Sequence, residues 1–130
     1  TIELARRFRR MYGGGMRQAG ILASAGIYAL EHNISRLKED HEHAQRLARV
    51  LQTIPTVSID VNGVETNIIV FDVRVQSLGR PASAIVAELK QAGVLINALG
   101  ETTFRAVTHL DVTSKDIDEA GQIFTQILSR

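Results

Sequence analysis

Three consecutive glycines, Gly13 to Gly15, separate an arginine-rich segment from an almost wholly apolar one. Glycine adopts positive φ values that turn successive backbone N–H groups toward one point, and a following helix adds unpaired N–H groups and the positive end of its dipole. Arg17, in the first turn of the predicted second helix, adds a planar charged group. The block therefore predicts either a plain flexible turn or a turn that binds an anion.

The spacing of apolar residues predicts three helices in the first part of the chain. The first covers residues 2–12, and the second covers residues 16–31, where small and apolar residues occur on every side. A helix with that composition is expected to be buried. Asn33 is a suitable N-cap for the third helix, which ends before Pro55.

Strand signals follow the third helix. The first two strand-like segments flank Asn62-Gly63, a dipeptide typical of tight turns, so this pair is a candidate hairpin. Alternation of apolar and polar residues, or a short apolar run, marks four segments in all: residues 57–61, 67–72, 94–99 and 103–109.

Two further helices complete the pattern. Pro81 suits the opening turn of the first, and Gly93 is placed to end it. Thr113 and Asp116 resemble a capping box at the start of the last helix. This order predicts an α+β fold: two to three N-terminal helices, then a small, mostly antiparallel sheet of about four strands with helices packed on one face.

Composition argues against several classes of function. The 15 basic and 14 acidic side chains leave a net charge of +1, which gives no overall attraction to nucleic acid or to a membrane. The first 17 residues hold five arginines against one acidic residue, but this charge is local, so nucleic-acid binding there is a weak alternative. With no cysteine, no long apolar run and no secretory pattern, the chain is expected to be cytoplasmic.

The predicted strand at 103–109 contains a second functional candidate. Alternation places Arg105 on the same face as Val107 and His109. An arginine among core residues needs an anion, because an unpaired charge is costly to bury. The residues alone favour a structural salt bridge for Arg105, with a bound anionic ligand as the alternative.

The histidines give no sign of a metal site. His41 and His43 are two residues apart on a predicted helix and point in nearly opposite directions, so they cannot share a metal ion. We expect His41 at the edge of the core and His43 in solvent. His109 lies close to Asp111, where a structural hydrogen bond is expected.

Three blocks of sequence resemble a single family: residues 6–22, which include the glycine run; residues 33–41; and residues 104–112, which include Arg-Ala-Val-Thr-His. They are similar to the low-specificity threonine aldolases, a pyridoxal-phosphate-dependent family of the aspartate aminotransferase fold type. The resemblance covers essentially the whole chain but only the C-terminal portion of the family. It implies a connecting part at residues 1–32 and a small C-terminal α+β domain at residues 33–130.

The resemblance also implies roles for three arginines. Arg105 matches the arginine that holds the α-carboxylate of the amino-acid substrate. Arg17 matches a ligand of the cofactor phosphate, reached across a subunit interface, which implies a homo-oligomer, a dimer or tetramer with shared active sites. Arg10 stands where a lysine is usual in the family; it is a second candidate for the phosphate, with a surface arginine as the alternative.

The function implied is that of a carbon–carbon lyase of amino-acid metabolism, which cleaves L-threonine or L-allo-threonine to glycine and acetaldehyde. The family's Schiff-base lysine lies upstream of the glycine run, so this chain is expected to lack it and to be inactive alone. Lys38, Lys90 and Lys115 are predicted on the surface. The alternative is a catalytically silent module that acts in oligomerisation or partner binding through its apolar second helix.

Overall fold

The computed structural model describes residues 1–129. Contacts within the chain form two compact units, Thr1–Arg36 and Leu37–Arg130, which we call the amino-terminal and carboxyl-terminal units. The domain boundary predicted between residues 32 and 33 stays a prediction. Among residues 1–129, no helix combines the length and the apolar character that crossing a membrane requires.

The amino-terminal unit consists of two helices. The first, α1 (Ile2–Met11), lies where the sequence predicts it. The second, α2 (Gly20–His32), begins later than predicted, because Gln18 adopts a left-handed backbone conformation, with φ of 52°, that a continuous helix excludes. Asn33 is the C-cap of α2 and donates its N–H to the Ala29 carbonyl at 2.9 Å. The prediction that Asn33 opens the next helix is therefore wrong.

The apolar surface of α2 is exposed. None of its residues is buried, and Ile21 and Leu30 are 77% and 66% exposed. The prediction of a buried helix is wrong for the chain by itself, because residues 1–129 leave the helix uncovered. The sequence correctly indicates that this helix has no polar side, but it does not indicate what would cover the apolar surface.

The carboxyl-terminal unit contains all four strands. Its first helix begins at Leu37, after the turn that follows α2. The 3-10 turn and the short helix after the second strand were not predicted. In chain order the elements are α3 (Leu37–Gln52), β1 (Val57–Ser58), a 3-10 turn (Val61–Gly63), β2 (Ile68–Val73), α4 (Val75–Leu78), α5 (Ala82–Gln91), β3 (Asn97–Ala98), β4 (Thr103–Val107) and α6 (Ser114–Leu128).

The four strands form one antiparallel sheet in the order β1-β2-β4-β3. β1 and β2 are a hairpin, as predicted, but Asn62-Gly63 is not a tight two-residue turn. The Asp60 carboxylate accepts the Asn62 N–H at 3.0 Å and starts the 3-10 turn instead. This local hydrogen bond stabilises a turn at residues where β1 would otherwise continue to pair with β2, so β1 is short.

The core lies between one face of the sheet and the helices. Phe71 of β2 stacks on Phe104 of β4 with ring centroids 5.8 Å apart, and Phe124 of α6 meets Phe71 edge-on at 5.9 Å. All three rings are essentially inaccessible to solvent. Among the described helices of the carboxyl-terminal unit, none covers the other face of the sheet; Ile68, Val70 and Val107 on that face are 43–47% exposed.

Two helix ends follow the sequence prediction closely. Gly93 has φ of 96°, and the N–H groups of Gly93 and Val94 donate to the carbonyls of Lys90 and Leu89, which is the Schellman arrangement at the end of α5. At α6, the N-cap Thr113 and the third helical residue form the predicted capping box. These local signals therefore fix where α5 ends and where the last helix begins.

Candidate functional site

Arg105 lies in the middle of β4, the second of the two central strands. Phe104 and Ala106, on either side of it in sequence, are buried against the helices, so alternation directs Arg105 to the opposite face of the sheet. The prediction that Arg105 lies among core residues is wrong. Arg105 is half-buried on the face that the described helices of this unit leave uncovered.

Strand register fixes the neighbours of Arg105 on that face. Val70 of β2 and Asn97 of β3 both pair directly with Arg105, one on each side. Directly paired residues direct their side chains to the same face, with Cβ atoms about 4.5–5.5 Å apart. Asn97 belongs to no sequence motif. The pairing register of a two-residue strand places it next to Arg105, so the sequence alone gives no sign of this contact.

The Arg105 side chain has a buried donor without a partner. Its Nε atom is inaccessible to solvent and makes no hydrogen bond to any of residues 1–129. Asp72 is the nearest carboxylate in the register, diagonal to Arg105 on β2, but its Oδ1 accepts the Thr103 hydroxyl at 2.6 Å. Arg105 therefore has no salt bridge among the described residues, and its buried Nε is left without an acceptor.

The glycine run ends α1. Gly13 has φ of 77°, and its N–H donates to the Arg10 carbonyl at 3.2 Å, while the Gly14 N–H donates to the Arg9 carbonyl at 2.7 Å. A Cβ at Gly14 would lie 2.9 Å from the Arg9 carbonyl oxygen, so both glycines are required by this close C-terminal cap. The expectation that these glycine N–H groups converge on an anion is wrong for Gly13 and Gly14, because their donors are already used.

Arg17 and Arg10 are both exposed in the amino-terminal unit. The sequence predicts Arg17 in the first turn of the second helix, but Arg17 lies in the turn before α2. Arg10 is in the last turn of α1, near the negative end of the helix dipole. Arg17 and Arg10 thus belong to one compact unit and Arg105 to the other.

His43 is buried where the sequence predicts exposure to solvent, whereas His41 lies at the edge of the core as predicted. His43 is buried, with 4% of its surface exposed, and its Nε2 lies 3.0 Å from the Ser114 Oγ; His41 is half-buried. His43 was expected in solvent, and the difference arises because α3 packs against α6 along the side that carries His43. His109 is exposed and its Nδ1 accepts the Asp111 N–H at 3.3 Å, which is the expected structural contact.

The lysines of the carboxyl-terminal unit are on its surface, as predicted. Lys38 and Lys115 lie 3.6 and 3.4 Å from Glu42 and Glu119, one helical turn further along, and both lysine side chains are 84% exposed. Lys90 is exposed as well. Across residues 1–129, no three His, Cys, Asp or Glu side chains are grouped so that they could hold a metal ion.

Comparison with known proteins decides the family. The family model of the beta-eliminating lyases matches residues 1–76, more than half of the chain. The chain belongs to the beta-eliminating lyase family. The similarity to threonine aldolases that the sequence blocks indicate is confirmed as well.

Two aldolases match nearly the whole of this beta-eliminating lyase chain. The low-specificity L-threonine aldolase of Escherichia coli K12 is 41% identical over 129 residues, which are 99% of the chain and 36% of that enzyme. Low-specificity L-threonine aldolase 1 of Arabidopsis thaliana is 33% identical over 127 residues, 98% of the chain and 35% of that enzyme. The chain therefore spans about a third of the length of these relatives.

A solved structure confirms the fold. The enzyme MppP, soaked with the product 2-ketoarginine, superposes with a TM-score of 0.59 over 78% of this chain and 30% of its own, at 15% identity. Identity that low shows the fold alone. The α+β fold predicted from the sequence, with a small antiparallel sheet of four strands, is confirmed.

Proposed function

We propose that the chain is the C-terminal part of a pyridoxal-phosphate-dependent aldolase that cleaves L-threonine or L-allo-threonine to glycine and acetaldehyde. The observation that carries the proposal is the 41% identity to the E. coli low-specificity L-threonine aldolase along 99% of the chain. The chain spans 36% of that relative, so the reaction belongs to the complete protein and not to these residues alone.

Arg105 binds the substrate α-carboxylate in this proposal. Its buried Nε lacks a partner, and leaving a buried donor unsatisfied costs about 1–3 kcal/mol, a cost that a bound carboxylate would remove. A guanidinium that donates through two N–H groups fixes the plane of the carboxylate as well as its position. Arg105 thereby holds the amino acid in one orientation, which decides which bond at Cα is aligned for cleavage.

Arg17 binds the phosphate of the cofactor. Its exposed guanidinium suits a dianionic phosphate, and Arg10, exposed in the same unit, is a second phosphate ligand. The residues present therefore fit a phosphorylated, anionic cofactor with an amino-acid substrate. Pyridoxal phosphate, when bound, supplies the electron-withdrawing ring that accepts the electrons of the broken bond.

The complete protein is a homo-oligomer, and the family resemblance implies a dimer or tetramer. Support comes from α2, whose large apolar side chains Ile21, Leu22, Tyr28 and Leu30 are each at least 60% exposed. Contiguous exposed apolar side chains of this kind mark protein–protein contacts. Covering α2 with a second subunit would provide the burial that its sequence predicts. The cytoplasmic location stays a prediction.

The test is a product assay on the complete protein that carries this chain. With pyridoxal phosphate and L-threonine or L-allo-threonine, we expect glycine and acetaldehyde in equal amounts, with acetaldehyde measured by coupled NADH oxidation and glycine by chromatography. L-Serine and L-alanine serve as comparison substrates. Absence of glycine from both threonine isomers would overturn the aldolase assignment and favour the catalytically silent oligomerisation module.

A further inference from the structure

The face of the sheet that carries Arg105 offers a second hydrogen-bond donor beside it. Asn97 is the direct β3 partner of Arg105, so the two side chains project from the same face on neighbouring strands. Ile96, the residue before Asn97, is 9% exposed and belongs to the core side, which confirms the alternation at this strand. Asn97 itself is exposed.

The other neighbours of Arg105 on this face cannot serve as donors. Val70, its partner on β2, is apolar. Thr103 lies two residues away on β4, and its hydroxyl already donates to Asp72 at 2.6 Å. The negative Asp72 also disfavours a second carboxylate on the β2 side of Arg105. A carboxylate bound by Arg105 is therefore directed toward the β3 side, where Asn97 stands.

We propose that Asn97 is a substrate-binding residue, whose side-chain N–H₂ donates to the same α-carboxylate that Arg105 holds. The inference rests on the proposed function and extends it to a residue that no motif indicates. The Asn97 side chain is exposed on the open face of the sheet, so its amide is accessible to a ligand. A neutral donor next to the guanidinium adds selectivity for a carboxylate without adding charge.

Asn97 then determines specificity for a free carboxylate. The amide of an amino acid presents one acceptor oxygen and an N–H₂ donor, so it cannot offer an acceptor oxygen to each of Arg105 and Asn97. Glycine and glycinamide differ in that group alone and are therefore the matched probes. The difference in their affinities reports contacts to the carboxylate and is insensitive to general loosening of the fold.

The test uses the complete protein loaded with pyridoxal phosphate and measures the Kd of glycine and of glycinamide by titration calorimetry. We expect Asn97→Ala to raise the Kd of glycine about 10-fold, the effect of losing one hydrogen bond to a charged group, and to leave glycinamide nearly unchanged. Asn97→Asp should raise the Kd of glycine further, through repulsion, and lower that of glycinamide. In turnover of L-threonine, KM should rise by a larger factor than kcat falls.

Asn62 supplies the matched controls. It is exposed on the 3-10 turn, and Asn62→Ala and Asn62→Asp should leave both Kd values unchanged. An unchanged glycine Kd in the Asn97 variants, with a raised Kd in Arg105→Ala, would overturn the role of Asn97 and leave the proposed function intact. An equal rise for glycine and glycinamide would also overturn it. If Arg105→Ala leaves the glycine Kd unchanged too, the carboxylate site itself is wrong.

Discussion

Gly121 of α6 packs against Val50 of α3. It is buried, and a Cβ at this position would lie 3.2 Å from Cγ1 and 3.5 Å from Cγ2 of Val50. The added methyl group would therefore contact both branches of the Val50 side chain. Val50 cannot rotate away easily, because a helical valine has one strongly preferred χ1 rotamer. Gly121→Ala therefore tests the packing of these two helices.

Two opposing effects decide the result. Alanine in place of glycine stabilises a helix interior by about 1 kcal/mol. An overpacked contact costs about 1–3 kcal/mol. We expect Gly121→Ala to lower the free energy of unfolding by about 1 kcal/mol, measured by urea unfolding of the chain and followed by circular dichroism. Gly26→Ala in α2, where nothing lies within 4 Å of the added Cβ, is the control and should show only the gain.

A double-mutant cycle isolates the contact. Val50→Ala removes the two methyl groups that the new Cβ would meet. In that background Gly121→Ala should raise the free energy of unfolding by about 1 kcal/mol, the propensity gain alone. The coupling between the two positions is then about 2 kcal/mol. Equal destabilisation by Gly121→Ala in both backgrounds, or stabilisation in the wild type, would refute this reasoning.

Two further predictions concern a helix cap and the cofactor. The hydroxyl and backbone N–H of Thr113 donate to the Asp116 carboxylate and hold its pKa below the ordinary value. The contact therefore stabilises the fold at pH above the ordinary pKa, and this stabilisation is lost as pH falls through the lowered pKa. Thermal melting at several pH values should show that Asp116→Asn destabilises the chain near neutral pH and makes no difference in strong acid. Arg17→Ala in the complete protein should raise the Kd of pyridoxal phosphate about 10-fold, measured by titration of the cofactor's absorbance, whereas Arg7→Ala should leave that Kd unchanged. The same Kd in Arg17→Ala as in the wild type would count against Arg17 as a phosphate ligand.

Local chemistry explains which elements the sequence predicts well. The capping box at Thr113 and the end of α5 at Gly93 depend on hydrogen bonds between residues a few positions apart, so the sequence contains the whole signal. The late start of α2 depends on the left-handed Gln18 and the short β1 on the Asp60 carboxylate, and both compete locally with regular structure. The spacing of apolar residues along the sequence gives no indication of such competition.

The candidate site is predicted only in part, for a different reason. Arg105 is found from its motif, and its role and those of Arg17 and Arg10 stay predictions. Which face of the sheet is buried depends on where the helices pack, so the prediction that Arg105 lies in the core is wrong. Asn97 depends on strand register, which is set by pairing between distant residues and by no local pattern. The environments of His41 and His43 depend similarly on how α3 packs.

In the proposed function, Arg105 holds the carboxylate of a threonine substrate in a pyridoxal-phosphate-dependent aldolase. The most direct test is kcat/KM for L-threonine cleavage by the complete protein with Arg105→Ala, alongside Arg49→Ala as an exposed control on α3. Loss of a charge-assisted contact predicts a fall of about 100-fold for Arg105→Ala, mainly through KM, with Arg105→Lys in between. Unchanged kcat/KM in Arg105→Ala, or an equal fall in Arg49→Ala, would contradict it.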